Sequence, residues 1–511
     1  MPHKPLRGMT LVLLTLALGL GTFTQVFDLS IANVSIPAIA GDLGVSPEQG
    51  AWAITSFAVS SSVVLPLTGW LSRRFGEVKL FSWSIALFAF TSWLCGLAWN
   101  FPLLVCGRTL QGAVGGVLIP LSQSLLLQHY PPDKKGLALG LWGMIVVVAP
   151  ILGPILGGWI TDNYGWPWIF YINIPIGLLS AFLTYELLKD RDAPRQKVPL
   201  DLIGLALLII GVGSLQILLD KGNGLDWFTS PVIGFLGVLA AIGISLFIVW
   251  NYYSKYPVMD FSFFRDRNFV FGTLIATIAF MLFFSGTILL PLWLQTQMGY
   301  TAYLAGLALA PIGIIPLFLS APIGKFMHHM DLRKLAAFSF VMFAVAFYWF
   351  SGFNTQVSLS QLVYARLFQG LGVSLYFIPL VTIALSNIPN HQLSSASGVF
   401  TFIRLLVGAG FGTAISVTLW SRREIHHHSQ LVEALQPHST AYDTTIETLN
   451  AAGIQGPAAA RFLDNLITQQ ASLLSLNDIF MGCGIIFLFL VPILFLCKRV
   501  AKREGAAVIS E

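Results

Sequence analysis

Apolar runs of about 20 residues, the length a helix needs to cross roughly 30 Å of hydrocarbon, recur along the chain with short polar breaks between them. They predict spans at 10 to 38, 50 to 71, 79 to 98, 101 to 127, 138 to 160, 167 to 187, 201 to 219, 231 to 251, 269 to 295, 302 to 324, 333 to 352, 360 to 385, 396 to 420 and 477 to 497. That is fourteen membrane helices, with one long polar loop at 421 to 476.

Composition agrees with this pattern. A chain of 511 residues that is 56% hydrophobic and 10% charged, with mean hydropathy +0.77, is too apolar for a soluble globule. Lys4 and Arg7 ahead of "LVLLTLALGLGTF", with small residues at Ala38 and Ala40, resemble a secretory leader. The run is longer than a leader's apolar region and contains Asp28, so a retained first helix is expected. With the N-terminus inside, 21 of the 28 Lys and Arg fall on the inner side and four outside. The bias of basic residues toward the cytoplasm then places both termini there. The net charge of +5 is spread over these loops and forms no patch for nucleic acid. Cys95, Cys106, Cys483 and Cys497 all fall in spans without metal-type spacing and read as core residues.

The chain repeats itself. "RTLQG" at Arg108 and "RLFQG" at Arg366 lie 258 residues apart, an offset shared by Pro131 and Pro389. Gly69 to Lys79 and Gly324 to Lys334 keep one spacing, with Arg73 and Arg74 answered by His328 and His329. Each repeat holds six helices, and two more lie between them. Parallel six-helix repeats are how major facilitator transporters are built, with a substrate site between the halves near mid-membrane. The expected fold is therefore all-α and membrane-embedded. Residues 1–190 would form the first bundle, 191–260 two linking helices and 261–511 the second bundle.

Ionisable residues inside spans are costly to insert and mark candidate function. Asp28 is the only acidic residue well inside a span; Ser30, Asn33 and Ser35 follow it in "FDLSIANVSIP". Arg108 is the corresponding base in the fourth span, sharing a helix face with Gln111, Gly112 and Gly115. Asp28 and Arg108 are the candidates for proton coupling, and Asn33 and Gln111 for polar groups of a substrate cavity. A permanent structural pair is the alternative. Arg366 reads as a helix fastener, and Arg404 has no assigned role in this pattern.

In the fifth span, "APILGPILGGW" places Ala149, Gly153 and Gly157 four residues apart, with Pro150 and Pro154 among them. Small residues at that spacing let helix backbones touch, and proline bends a membrane helix whose freed carbonyls find other donors. The stretch reads as a bendable, close-packed seam; a static contact is the alternative.

These motifs resemble those of the fourteen-span drug:proton antiporters in the major facilitator superfamily. Gly153, Pro154, Gly157 and Gly158 match the antiporter motif, "FDLSIANVSIP" the first-helix motif, "RTLQGAVGG" that of the fourth helix and "WPWIFYINIPIG" that of the sixth. The resemblance is closer still to EmrB-type pumps and covers nearly the whole chain. It implies export of small hydrophobic or amphipathic toxic compounds in exchange for protons, with no cofactor beyond the proton gradient. It also implies a bacterial inner membrane, a periplasmic membrane-fusion adaptor and an outer-membrane channel. The cytoplasmic loop motif is matched by Gly69, Arg74, Gly76 and Lys79. Arg73 stands there where the superfamily has an acid, and Glu77 where it has a second base. That exchange puts in doubt any gating salt bridge copied from the wider superfamily.

The spans lack the clustered nucleophiles, bases or metal ligands of an enzyme. A channel would repeat a charged ring, yet the second-half helix matching that of Asp28 reads "FFSGTILLPLW". An uptake symporter on the same fold remains the rival to an exporter.

Overall fold

A computed structural model describes residues 6, 8–131, 134–192, 195–196, 198–327, 330–435, 440–451 and 456–500. Lys4, Arg7, His328 and His329 lie outside them. Among the described residues, fourteen helices are long and apolar enough to cross a membrane. They are α1 (Met9–Val34), α2 (Trp52–Phe75), α3 (Glu77–Gly96), α4 (Phe101–His129), α5 (Lys135–Tyr164), α6 (Trp168–Arg191) and α7 (Leu202–Lys221). After these come α8 (Pro231–Tyr253), α9 (Arg267–Thr296), α10 (Tyr303–Phe326), α11 (Leu332–Phe350), α12 (Leu359–Leu385), α13 (Leu393–Glu433) and α14 (Pro457–Leu494).

Several starts are written locally. Side-chain oxygens that accept from free amides of the first turn fix where a helix begins. Asn100 accepts from the Leu103 N–H (2.9 Å), Asp201 from Gly204 (2.9 Å) and Asp266 from Phe269 (2.8 Å). Ser358 and Gln361 form a reciprocal capping box at α12.

Helices α1–α6 and α9–α14 are the two six-helix repeats, with α7 and α8 packed side by side between them in the chain. Gly211 and Gly243 let α7 and α8 cross at backbone contact: a β-carbon on Gly243 would sit 2.7 Å from Gly211 Cα. Helices α4 and α12 are the most enclosed and α8 the least, as expected if the latter is bordered mainly by lipid.

The halves close on each other at the face that carries Gly69 and Gly76. A β-carbon on Gly69 of α2 would come 3.0 Å from Ser395 Cα of α13, and one on Gly398 2.8 Å from the Leu65 carbonyl oxygen. Gly140 of α5 would likewise meet the Ser320 carbonyl carbon of α10 at 3.1 Å. Two hydroxyl contacts reinforce the closure, Ser72 with Ser394 at 2.9 Å and Ser397 with Gln123.

Two expectations are corrected. The polar interval 421 to 476 is largely helical: α13 continues to Glu433, α14 begins at Pro457, and a helix at Thr440–Ala451 lies between them. Hydropathy marks where apolar residues stop, and helix continues past that point because the two arms pair. Trp420 donates to the Ser472 carbonyl (3.0 Å), and Asp478 takes Arg423 Nε (3.0 Å) and His427 Nε2 (2.8 Å). The cysteines also divide. Cys95, Cys483 and Cys497 are buried, but Cys106 is exposed, two positions from Arg108 and therefore turned to another side of α4.

Candidate functional site

The centre of the first repeat is a closed polar cluster built from five helices. Asp28 of α1, Arg108 and Gln111 of α4, and Asn173 of α6 are fully buried. Arg108 Nη1 donates to Asp28 Oδ2 at 2.5 Å and to Gln111 Oε1 at 2.6 Å. Asp28 Oδ1 accepts from Asn173 Nδ2 (2.7 Å) and Gln111 Nε2 (3.0 Å). Arg108 Nε binds the Ala53 carbonyl of α2 (2.9 Å), and Gln111 Nε2 also reaches Ser92 of α3 (2.6 Å). The guanidinium lies over the Phe57 ring at 4.4 Å. Its Nη2 and the Asn173 Oδ1 are enclosed without partners.

Local sequence explains the convergence. Arg108 and Gln111 are three apart and share a helix face. Gly112 on the same face lets α2 approach until a β-carbon would stand 3.0 Å from the Phe57 carbonyl carbon. Three donors converge on the Asp28 carboxylate, two on Oδ1 and one on Oδ2.

The sequence candidates fall in different places. Gln111 lies inside the charge cluster, with no exposed surface to offer a substrate. Asn33 is exposed and away from Asp28, because five positions are well over one helical turn. Asn173 was missed. Its one trace is a lone amide in the apolar stretch "FYINIPIG".

The seam lies against the same first helix. On α5, a β-carbon at Gly153 would sit 2.9 Å from the Ser30 carbonyl carbon, and one at Gly157 2.8 Å from Ile31 Cγ1. Gly158 faces open space. Pro154 brings no N–H to the Pro150 carbonyl one turn back; Ser30 Oγ supplies the missing donor at 2.8 Å. Both prolines are therefore held inside one continuous helix.

At the loop between α2 and α3, Gly69 touches the second half, Arg74 is exposed, and Lys79 is partly buried in the first turns of α3. Gly76 has φ +87°, a left-handed conformation that suits glycine. Its missing side chain leaves room for Asp192, which accepts from the Val78 N–H (3.2 Å). An acid beyond α6 thus caps α3, where the positive end of the helix dipole favours it. Glu77 is a second buried acid that the sequence pattern left in the loop; it accepts from Ser124 (3.0 Å) and Gln128 (2.9 Å) of α4. Among the described residues, no ion pair joins Arg73, Arg74, Glu77 or Lys79 to a partner.

The second repeat keeps the scaffold and omits the acid. Arg366 is buried, donates to Gln369 Oε1 (2.5 Å) and lies over Phe350 at 5.1 Å. Where Asp28 would stand, 258 residues on, is Gly286, whose carbonyl takes Arg366 Nη2 at 2.7 Å. A backbone carbonyl cannot titrate, so among the described residues the second repeat has no acid at the place that corresponds to Asp28.

Two six-helix membrane repeats with two linking helices, and an opposed charge pair buried in the first repeat, have the architecture of a membrane transporter. The chain belongs to the Major Facilitator Superfamily, whose model matches residues 18–413. It is 47% identical to the fatty acid resistance protein FarB of Neisseria gonorrhoeae, with 98% of each chain covered. It is also 47% identical to the multidrug export protein EmrB of Escherichia coli K12, with 97% of each covered. In fold it is similar to the proton:xylose symporter XylE bound to 6-bromo-6-deoxy-D-glucose, with a TM-score of 0.56, 14% identity and coverage of 94% of this chain and 96% of that one.

Proposed function

We propose that this protein exports hydrophobic and amphipathic toxic compounds in exchange for protons, by alternating access between the halves 1–190 and 261–511, with 191–260 linking them. What supports the reading is one juxtaposition. Asp28 is followed on α1 by Ser30 and Ile31, the residues against which Gly153 and Gly157 pack. The titratable group and the glycine seam therefore share a helix segment. Protonation of Asp28 releases Arg108 or an amide from its carboxylate, α1 shifts against α5, and the closed face formed by Gly69, Ser72, Ser394 and Ser395 opens. Release of the proton on the opposite side restores the pair. Energy comes from the proton gradient, with no cofactor. Relatives named for multidrug export and fatty acid resistance support the substrate class.

The setting that fits is a bacterial inner membrane with both termini cytoplasmic. The paired arms of α13 and α14 then face the periplasm, where a membrane-fusion adaptor connects to an outer-membrane channel.

The test is transport of an amphipathic dye into inverted vesicles with an acid lumen. The native protein accumulates dye, and Asp28→Asn binds it without accumulating it. Uphill accumulation by Asp28→Asn would remove Asp28 from coupling. Proton-linked movement of dye in the opposite direction by the native protein would establish an uptake symporter instead.

A further inference from the structure

Among the described residues three arginines are buried, and two of them have acceptors. Arg108 holds Asp28, and Arg366 holds Gln369 and the Gly286 carbonyl. Arg404 has neither an ion-pair nor a hydrogen-bond partner among the described residues, although it is 3% exposed, and its Nε is enclosed without an acceptor. Around it stand three rings: Phe377 of α12 at 4.7 Å, Phe280 of α9 at 4.9 Å and Phe400 of its own helix at 5.7 Å. Cation–π attraction offsets part of the cost of burying the cation, but aromatic faces do not satisfy its N–H groups in the way an anion does.

Its position adds to the case. Arg404 opens a π-helical segment, Arg404–Phe411, and such wide turns are frequent at functional sites. Phe377 stacks at 5.3 Å on Trp142 of α5, whose indole N–H donates to Ser122 (2.8 Å) and Thr22 (3.2 Å) in the first half. The cage therefore abuts the boundary between the repeats, where transporters of this architecture hold substrate. Thr401 Oγ1, one turn before Arg404, and Thr277 Oγ1 on α9 are also enclosed without partners.

We propose that Arg404 anchors the acidic head of an amphipathic substrate, a carboxylate on an apolar body, with the body lying against Phe280 and Phe377. The proposal rests on the reading of the chain as an exporter of amphipathic compounds and names their chemical class. An anion supplies the acceptors that the guanidinium lacks, and the apolar body suits the aromatic wall.

The test uses the purified full-length protein and three probes that share a chain: dodecanoate, 1-dodecanol and dodecyltrimethylammonium. The native protein binds dodecanoate about tenfold more tightly than either of the others, the scale of a charge-assisted hydrogen bond. Arg404→Gln removes that preference while binding of dodecanol is retained, and Arg404→Lys keeps part of it. A native protein with no preference for the carboxylate would overturn the proposal without any variant. So would a preference that survives Arg404→Gln, or equal loss of all three probes, which would mark a purely structural arginine. Arg404→Gln is expected to keep proton-driven export of a cationic dye, whereas Asp28→Asn is not, so failure of this site and failure of the coupling reading are distinguishable.

Discussion

Gly153 packs against Ser30 so closely that a β-carbon would lie 2.9 Å from the Ser30 carbonyl carbon, while the Ser30 hydroxyl supplies the donor that Pro154 withholds from Pro150. Close approach and proline tolerance at the seam are one arrangement. We predict that Gly153→Ala and Gly157→Leu are inserted normally and lose transport, while Gly158→Ala, which faces open space, transports like the native protein. Equal activity of all three in vesicles would show that the seam does not move.

Removing one member of a buried ion pair costs about 3–5 kcal/mol, because the other charge is left unpaired. Asp28→Asn should therefore lower thermal stability in detergent. Asp28→Asn combined with Arg108→Gln should recover most of it and still fail to couple export to a proton gradient. A double variant as unstable as the single one would assign the loss to Gln111 and Asn173.

The Ser72–Ser394 contact can be made covalent. In a background free of the native cysteines, the pair Ser72→Cys and Ser394→Cys should cross-link under oxidation, since the two hydroxyl oxygens are 2.9 Å apart. Transport should stop and return on reduction. A cross-linked protein that still cycles would mean that this face need not open.

The helix Thr440–Ala451 between α13 and α14 offers a different kind of test. Replacing Thr440–Ala451 with a short flexible link is expected to spare proton-driven transport in vesicles and abolish resistance in cells. Equal loss in both assays would assign the segment to the transporter itself.

The spans were legible because hydrocarbon thickness sets a length that a run of apolar residues must meet. Asp28 and Arg108 were legible for the opposite reason, as charges where insertion penalises them. Asn173 was not, since an amide in an apolar helix carries no charge and its partners lie on α1. Asp192 caps α3 from beyond α6, a relationship without any sequence spacing to announce it. The helical arms of 421–476 were hidden because polar helices are stabilised by each other and not by a membrane. Arg404 could be seen as an oddity, but its cage of rings from α9, α12 and α13 required the fold.

Helix α14 runs through 38 residues without interruption, about 57 Å at 1.5 Å per residue, nearly twice the hydrocarbon thickness. A rigid rod of that length is a lever. Tilting it at its base by one degree swings its far end by about 1 Å, so a small rotation at the hydrocarbon core is magnified at the far end of the rod.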